Sequence, residues 1–342
     1  MIPSDVPAET EIVLYQVAFT FVFSLSIFII LLAGYIILNT GKNIKTYRWY
    51  LLAQLIASAI FDLVYWLKMP VELYSAKCIY SVGLLGETPL TTQNVQFVLI
   101  VFFGECKLLV LYAAIMYRYY HGLPPDTYPR LRVLVEPKIY KFALLFLVVQ
   151  LPVVLSLVPS LPMPARQAVL RNRSPLLRDV YIKHPSLLCF EETTQNTKEF
   201  DVMFVFLTAS YTFIIVTLIF MMSHLIYLTN QNKNRHNSTY RIQFMLFKSI
   251  RMQFFCMIVV TVIPLTYRAL ATSFEFRREA TVLMAMCVLT CSHSVIDCAL
   301  MIHYVRPYRQ MLTHIVLKCL NGEMVSPGLV TINSRTSGTF GK

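Results

Sequence analysis

The sequence predicts an all-α membrane protein folded as a bundle of seven transmembrane helices. Two observations carry this prediction. Hydrophobic residues make up 56% of the 342 positions and charged residues only 14%, and the apolar residues are gathered in seven long runs. A water-soluble domain of this length needs more charged side chains to cover its surface. An apolar helix of about 20 residues spans the hydrocarbon core of a bilayer, so runs of this length predict membrane spans.

The predicted spans are separated by segments that hold most of the charged residues. Their approximate bounds are residues 12–38, 49–73, 91–117, 140–158, 200–228, 246–270 and 281–304. Residues 1–11 form a short polar terminus before the first span. Pro264 lies inside the sixth span, and because proline lacks a backbone N–H we expect a kink in the helix there.

The distribution of basic residues predicts the side of the membrane on which each segment lies. Assigning alternate segments to opposite sides places 18 lysines and arginines on the side of the final tail and 11 on the side of residues 1–11. Cytoplasmic segments retain an excess of Lys and Arg, so the amino terminus is predicted to lie outside the cell. The net charge of +12 is explained by this topology. No basic patch interleaved with aromatic residues points to nucleic acid as a partner.

Two features of the predicted outer segments are candidates for covalent modification. Cys78 and Cys189 are the cysteines that fall in outer segments, an oxidising location, so they are the candidate pair for a disulfide. The pair forms only if the two loops meet above the helices, and the sequence leaves that open. Asn172-Arg173-Ser174 is a glycosylation sequon in the long outer segment, although the following Pro175 disfavours its use.

Five ionisable side chains lie deep within the predicted spans. A charge near the bilayer midplane costs roughly 2.5–3.5 kcal/mol, so these groups must face the interior of the bundle and find partners. Glu105 and Lys107 are two positions apart and point to different faces of their helix. Lys107 therefore needs a partner on another helix, and the candidates are Asp62 and Asp297. The complete set is Asp62, Glu105, Lys107, His293 and Asp297.

Two interpretations of this buried polar layer remain open from the sequence. The first is an ion pair that fixes helix packing and does nothing else. The second is a switch, in which protonation, hydration or pairing changes between two arrangements of the helices. Catalysis is not favoured, because the chain has no His-Glu-x-x-His helix, Gly-x-Ser-x-Gly elbow or glycine-rich phosphate loop. We expect neither enzymatic activity nor a bound metal or cofactor.

The outer half of the bundle is the predicted place for a small ligand. Polar side chains open the third span, and others lie in the outer halves of the fifth and sixth spans among many aromatic residues and methionines. An apolar pocket with a few polar anchors is typical of small-molecule sites, although the same residues also suit ordinary helix packing. The candidate ligand-binding residues are Gln93, Asn94, Gln96, Tyr211 and Tyr267.

The seventh span ends in a basic, aromatic and proline-containing stretch, Arg306-Pro307-Tyr308-Arg309. Proline interrupts the helical hydrogen bonding and changes the direction of the chain, while arginine and tyrosine favour the headgroup level of the membrane. Apolar residues then recur at helical spacing, which predicts an amphipathic helix over 305–320 on the inner membrane surface. The remaining residues, 321–342, are rich in Gly, Ser and Thr, and we expect them to be disordered.

Several of these motifs together resemble the nematode serpentine chemoreceptors of the Str-type superfamily, especially the Srh and Sri branches. The resemblance rests on seven spans with an outer amino terminus and on the Pro-Tyr-Arg that ends the last span. Thr239, Gln243 and Gln253 resemble that family's Ser/Thr-x-x-x-Gln entry and later glutamine of the sixth span, and Pro264 its later proline. This resemblance implies a G-protein-coupled fold and a chemosensory role, with a plasma-membrane location in a sensory cilium.

The expected partners are a small-molecule ligand, a heterotrimeric G protein and membrane lipids. The residues predicted to face the G protein are Arg118, Arg241, Arg306, Tyr308 and Arg309. One alternative is a seven-span ligand-gated channel of the insect chemoreceptor kind, which has its amino terminus inside. Another is a small proton-coupled transporter that uses the buried carboxylates and Lys107.

Overall fold

The computed structural model describes residues 6–40, 47–73, 78–86, 88–123, 175–189, 197–231, 251–264 and 279–321, with isolated helical positions between them. Most described residues are helical. In chain order the helices are α1 (Glu9–Thr40), α2 (Tyr47–Lys68), α3 (Leu90–Gly122), α4 (Pro175–Lys183), α5 (Thr197–Gln231), α6 (helical residues 251–264), α7 (Glu279–Tyr304) and α8 (Arg306–Leu320).

Within these ranges four helices, α1, α2, α3 and α7, are long and apolar enough to cross a membrane. Shorter apolar stretches, Thr212–Leu228 in α5 and Arg251–Val260 in α6, coincide with the fifth and sixth predicted spans. The fourth predicted span lies outside the described residues, apart from three helical positions at 144, 145 and 148. Asn172, Arg241 and the tail 322–342 also lie outside them.

At the end of the second span, the structure adds a small β-sheet to the predicted helical bundle. Helix α2 stops at Lys68 rather than continuing to residue 73, because Met69 has a positive φ of 42° and the following Pro70 lacks the N–H that a helix needs. Three short antiparallel strands follow in the order β1 (Pro70–Leu73), β2 (Cys78–Ser81) and β3 (Leu188–Cys189). A short apolar run does not distinguish a buried strand from the end of a helix, which is why the sequence assigned β1 to the span.

The sheet closes one end of the bundle, here called the sheet end. The Tyr15 hydroxyl donates to the carbonyl of Pro70 at 3.2 Å, and Gln16 Nε2 donates to the carbonyl of Val82 at 2.7 Å, so α1 holds the β1–β2 hairpin. Ser186 Oγ accepts from the Ser81 N–H at 3.0 Å and donates to the Ser81 carbonyl at 3.1 Å. The hairpin is thereby fixed both to the bundle and to the segment that carries β3.

Buried apolar clusters hold the described helices together along the whole bundle. At the sheet end, Phe19, Tyr65 and their neighbours join α1, α2 and α7 beneath the sheet. Another cluster joins α3, α5 and α6. At the opposite end, Ile36 and Ile37 of α1 pack with residues of α2, α7 and α8. Large apolar side chains such as Phe21 and Phe220 are exposed on the outer surface, where they suit contact with lipid.

Gly83 marks a close approach of the hairpin to the end of α2. Its N–H donates to the carbonyl of Lys68 at 3.1 Å, and a Cβ there would lie 2.5 Å from the carbonyl oxygen of Leu67. We expect Gly83→Ala to lower the stability of the purified protein by about 1–3 kcal/mol, because neighbouring backbone has to move. The matched control is Gly34→Ala in α1, where the nearest atom is 4.0 Å away. Equal thermal stability of the two variants would contradict this account.

Candidate functional site

The first part of the site is an ion pair between adjacent helices. Lys107 Nζ on α3 lies 3.5 Å from Asp62 Oδ1 on α2. The same ammonium donates to Ser294 Oγ on α7 at 2.9 Å, and Asp62 Oδ2 accepts from Ser26 Oγ on α1 at 2.7 Å. Of the two partners predicted for Lys107, the structure therefore places Asp62 beside it. Four helices meet at these polar atoms.

A second carboxylate, that of Asp297, lies about one helical turn after Ser294 on α7. Asp297 Oδ2 accepts a hydrogen bond from Gln54 Nε2 on α2 at 2.6 Å. Gln253 on α6 lies close enough to affect this carboxylate, but its Nε2 makes no hydrogen bond within the described residues. The polar layer therefore comes near the sixth span at Asp297.

The polar layer lies in a buried, largely apolar setting. Asp62 is 0% exposed, and the Lys107 ammonium lies 5.0 Å from the centroid of the Phe61 ring. Removing such a pair from water is costly, and only good geometry with further hydrogen bonds offsets that cost. Ser26 and Ser294 supply those bonds here. Asp62 Oδ1, by contrast, accepts no hydrogen bond from the described residues, so the stability of the pair depends on the relative position of the four helices.

Two predicted members of the layer stand apart from these bonds. Glu105 is buried on the face of α3 that continues through Leu108 and Leu109, which belong to the cluster shared with α5 and α6. His293 is buried on α7, and neither ring nitrogen has a hydrogen-bond partner among the described residues. Within the described ranges, no group of three or more His, Cys, Asp or Glu side chains is suited to a metal ion.

The α6 segment departs from regular helix immediately before Pro264. Residues Ile258–Val262 form a π-helix, and Pro264 is buried. A proline cannot donate to the carbonyl four residues earlier, and a π-turn is one of the ways in which a helix absorbs such a defect. Short π-helical segments often occur at functional positions. The sequence indicated the proline but not the five-residue turn before it.

The predicted ligand residues have different surroundings. Gln93 is fully engaged, because its Nε2 donates to the Leu85 carbonyl and to Thr88 Oγ1, each at 2.8 Å, and its Oε1 accepts from Ser81 Oγ at 2.9 Å. It holds the loop after β2 onto α3. Gln96 is buried and its amide has no hydrogen-bond partner among the described residues. Asn94 and Tyr267 are half-buried, while Tyr211 lies on α5.

Lys68 is a residue that the sequence-based analysis missed. It was counted only as a basic residue on the outer side, yet it is buried at the last position of α2. The available signal was its position at the end of an apolar run directly before Met69-Pro70. The close return of the hairpin over this position, which buries it, depends on contacts that the sequence pattern does not encode.

At the sheet end, Cys78 of β2 and Cys189 of β3 are joined by a disulfide and are also paired residues of the sheet. At the opposite end, Arg306 and Arg309 are exposed on α8. Tyr308, predicted to face a partner, is only 1% exposed because it packs into the cluster with α1, which corrects that prediction. Arg118 lies near the end of α3.

Comparison with known proteins assigns the chain to a family. Residues 11–318 match the family model of the serpentine type 7TM GPCR chemoreceptor Srh. The chain belongs to the Srh family. A crystal structure of squid rhodopsin is similar to this Srh receptor with a TM-score of 0.52 over 95% of this chain and 92% of that chain, at 13% identity. At that identity the likeness concerns the fold alone. No curated protein sequence matches the chain.

The family and the fold together make this Srh protein a G-protein-coupled chemoreceptor with seven transmembrane helices. The branch-level resemblance and the seven-span prediction are therefore confirmed. Neither comparison supports the channel or the transporter that the sequence left as alternatives.

Proposed function

We propose that this Srh receptor binds a small ligand at the sheet end, outside the cell, and activates a heterotrimeric G protein at the opposite end. Its proposed location is the plasma membrane, and the family resemblance suggests that this is the membrane of a sensory cilium. The observation that carries the proposal is the buried polar layer. It links four helices through one ion pair and two hydrogen bonds, and its second carboxylate lies near Gln253, which precedes the π-helix in α6.

The layer is proposed to act as a two-state element. A ligand shifts a conformational equilibrium only by its difference in affinity for the two states. A ligand that alters the spacing of α2, α3 and α7 at the sheet end changes the geometry of the Asp62–Lys107 pair and of the Asp297–Gln54 bond. Segment α6 is the element proposed to move, because its helical hydrogen bonding is already interrupted before Pro264.

The proposed orientation has two supports. The excess of Lys and Arg in segments on the α8 side favours a cytoplasmic location for that side. The Cys78–Cys189 disulfide favours an extracellular location for the sheet end, because disulfides persist in oxidising compartments. The G protein would then meet the exposed Arg306 and Arg309, together with Arg118 and Arg241 from other inner segments.

Coupling through the α8 surface predicts a separation of signalling from folding. We expect the double variant Arg306→Glu/Arg309→Glu to reach the cell surface normally and to lose at least about tenfold in agonist potency, because reversed charges repel a complementary surface. The measurement is G-protein activation in cells that carry a promiscuous G protein, after a screen of volatile and water-soluble compounds. Arg178→Glu, exposed on α4 at the sheet end, is the control.

Two results would contradict the proposed function. One is an agonist response that is unchanged in cells lacking the G protein. The other is a response that the α8 variant and the Arg178→Glu control lose equally, since that would mean that the variants act through folding or trafficking.

A further inference from the structure

The sheet end contains a buried ammonium group that forms no hydrogen bond with any residue the structure describes. Lys68, the last residue of α2, is 1% exposed. Its Nζ has no hydrogen-bond partner among the described residues and forms no salt bridge with any of them. The group lies 5.3 Å from the centroid of the Phe97 ring on α3. A cation over an aromatic face is attracted to it, but the ring satisfies none of the directional donors of an ammonium.

The nearest described negative charge interacts with the Lys68 ammonium only at longer range. Glu72, on β1, exerts an electrostatic effect on Lys68 but does not form an ion pair with it, and Glu72 has other interactions of its own. A buried ammonium without a bonded partner is strongly unfavourable, so proteins rarely retain one without a use. The described residues therefore leave the Lys68 ammonium without a hydrogen-bond acceptor.

Gln96 on α3, next to Phe97 in the sequence, is a second buried polar side chain without a described hydrogen-bond partner. Its side chain is 5% exposed, and neither Nε2 nor Oε1 forms a hydrogen bond within the described ranges. Gln93, Gln96 and Phe97 are spaced i, i+3 and i+4 and so share one face of α3. Gln93 on that face makes all its hydrogen bonds with the hairpin and its loop. The lack of hydrogen bonds to the described residues is therefore specific to the Gln96 amide and is not shared by the other glutamine on this face.

We propose that Lys68 and Gln96 form a carboxylate subsite, and that the ligand of this receptor is a small organic acid with an apolar body. The inference rests on the proposed function, because it specifies the ligand class of the site at the sheet end. One ammonium matches the single negative charge of a carboxylate, and the Gln96 N–H serves a second lone pair. The ring of Phe97 lies beside the ammonium and offers apolar surface to the carbon skeleton of the acid.

The test is ligand-induced thermal stabilisation of the purified full-length receptor. The probes are hexanoate and benzoate, each compared with its methyl ester and its primary amide, and hexylamine. We expect the acids to raise the unfolding temperature and the uncharged or cationic analogues not to do so. Lys68→Met should weaken the apparent affinity for the acids at least about tenfold, while Lys68→Arg retains part of it.

A stability measurement without ligand separates a binding role from a packing role. Because the ammonium is buried and forms no hydrogen bond with the described residues, Lys68→Met should leave the unfolding temperature without ligand unchanged or raise it. A lysine with a structural partner would give a fall instead. The inference is overturned if no acid stabilises the receptor, if esters or amides stabilise it equally, or if Lys68→Met lowers stability or binds acids unchanged.

The same variants distinguish failure of the inference from failure of the proposed function. Acids that bind in a Lys68-dependent way without activating a G protein would support the subsite and contradict the signalling role. G-protein activation by neutral or cationic compounds alone would support the signalling role and overturn the subsite.

Discussion

Lys107→Met is expected to destabilise the receptor by about 3–5 kcal/mol and to reduce its amount at the cell surface severely. The substitution keeps an unbranched side chain of similar length but removes the charge that Asp62 faces at 3.5 Å. Asp62 is fully buried, and breaking a buried pair leaves an uncompensated charge, which costs far more than the pair contributes. Thermal unfolding of the purified protein and surface labelling of intact cells measure the loss.

Adding Asp62→Asn to Lys107→Met should recover much of the lost stability. The asparagine has nearly the shape of the aspartate and can still accept from Ser26 Oγ, but it carries no charge that needs a partner. The recovery is the coupling between the two residues, which a double-mutant cycle reports directly. A double variant no more stable than Lys107→Met alone would show that the pair is not the reason for the loss.

The matched control for the buried pair is the ion pair between Lys183 and Glu9. Its N–O distance is shorter, 2.9 Å, but its side chains are 64% and 82% exposed. Solvent and salt screen such a pair, so Lys183→Met should leave the unfolding temperature nearly unchanged. If the two methionine variants lost equal stability, burial could not be the cause of the difference argued for Lys107.

Removing both charges of the Asp62–Lys107 pair also distinguishes the two interpretations that the sequence left open. If the layer only fixes packing, a well-folded Asp62→Asn/Lys107→Met receptor signals normally. If the layer is the proposed two-state element, the same receptor keeps its ligand affinity but changes its basal or maximal G-protein activation. The reason is that the ion pair no longer contributes to the difference in free energy between the two helix arrangements.

The sequence predicted the buried polar layer because ionisable residues in apolar spans are expensive. The cost applies to each residue separately, so Asp62 and Lys107 were identifiable without any knowledge of helix order. The choice between Asp62 and Asp297 as the partner of Lys107 was not, since it depends on which faces of α2, α3 and α7 meet. The same limit applies to Lys68, whose burial depends on the hairpin that returns over it.

The burial of Tyr308 and the small sheet were not predicted, for a related reason. A tyrosine between two arginines at the end of a span fits the headgroup region, but Tyr308 is buried in a cluster that includes Ile36 and Ile37, more than 250 positions earlier. Strand β1 is a four-residue segment, Pro70-Val71-Glu72-Leu73, that pairs with β2, and β2 pairs with β3 from a segment more than 100 positions away. Local pattern does not carry such long-range pairing.

Removing the Cys78–Cys189 disulfide is expected to lower stability by about 2–5 kcal/mol and to abolish ligand binding at the sheet end. The bond closes a loop of 111 residues, and in the loop-entropy account long loops gain the most from closure. Cys78 and Cys189 are also paired across β2 and β3, so the bond keeps the β3 segment on the hairpin that covers Lys68. The loss is measured as the fall in stability and in ligand binding of the Cys78→Ser/Cys189→Ser variant, and of the wild type treated with reductant.

The single and double serine variants should lose the same stability, because one bond is lost in each. Cys106→Ser is the control, since Cys106 is a half-buried free cysteine on α3. A loss below about 1 kcal/mol, or wild-type stability that is insensitive to reductant, would mean that the sheet holds without the bond. A stable variant that still binds acids would further show that the contacts of Tyr15, Gln16 and Ser186 are enough to keep the hairpin over Lys68. Loss of binding with stability retained would instead assign the disulfide to the shape of the site.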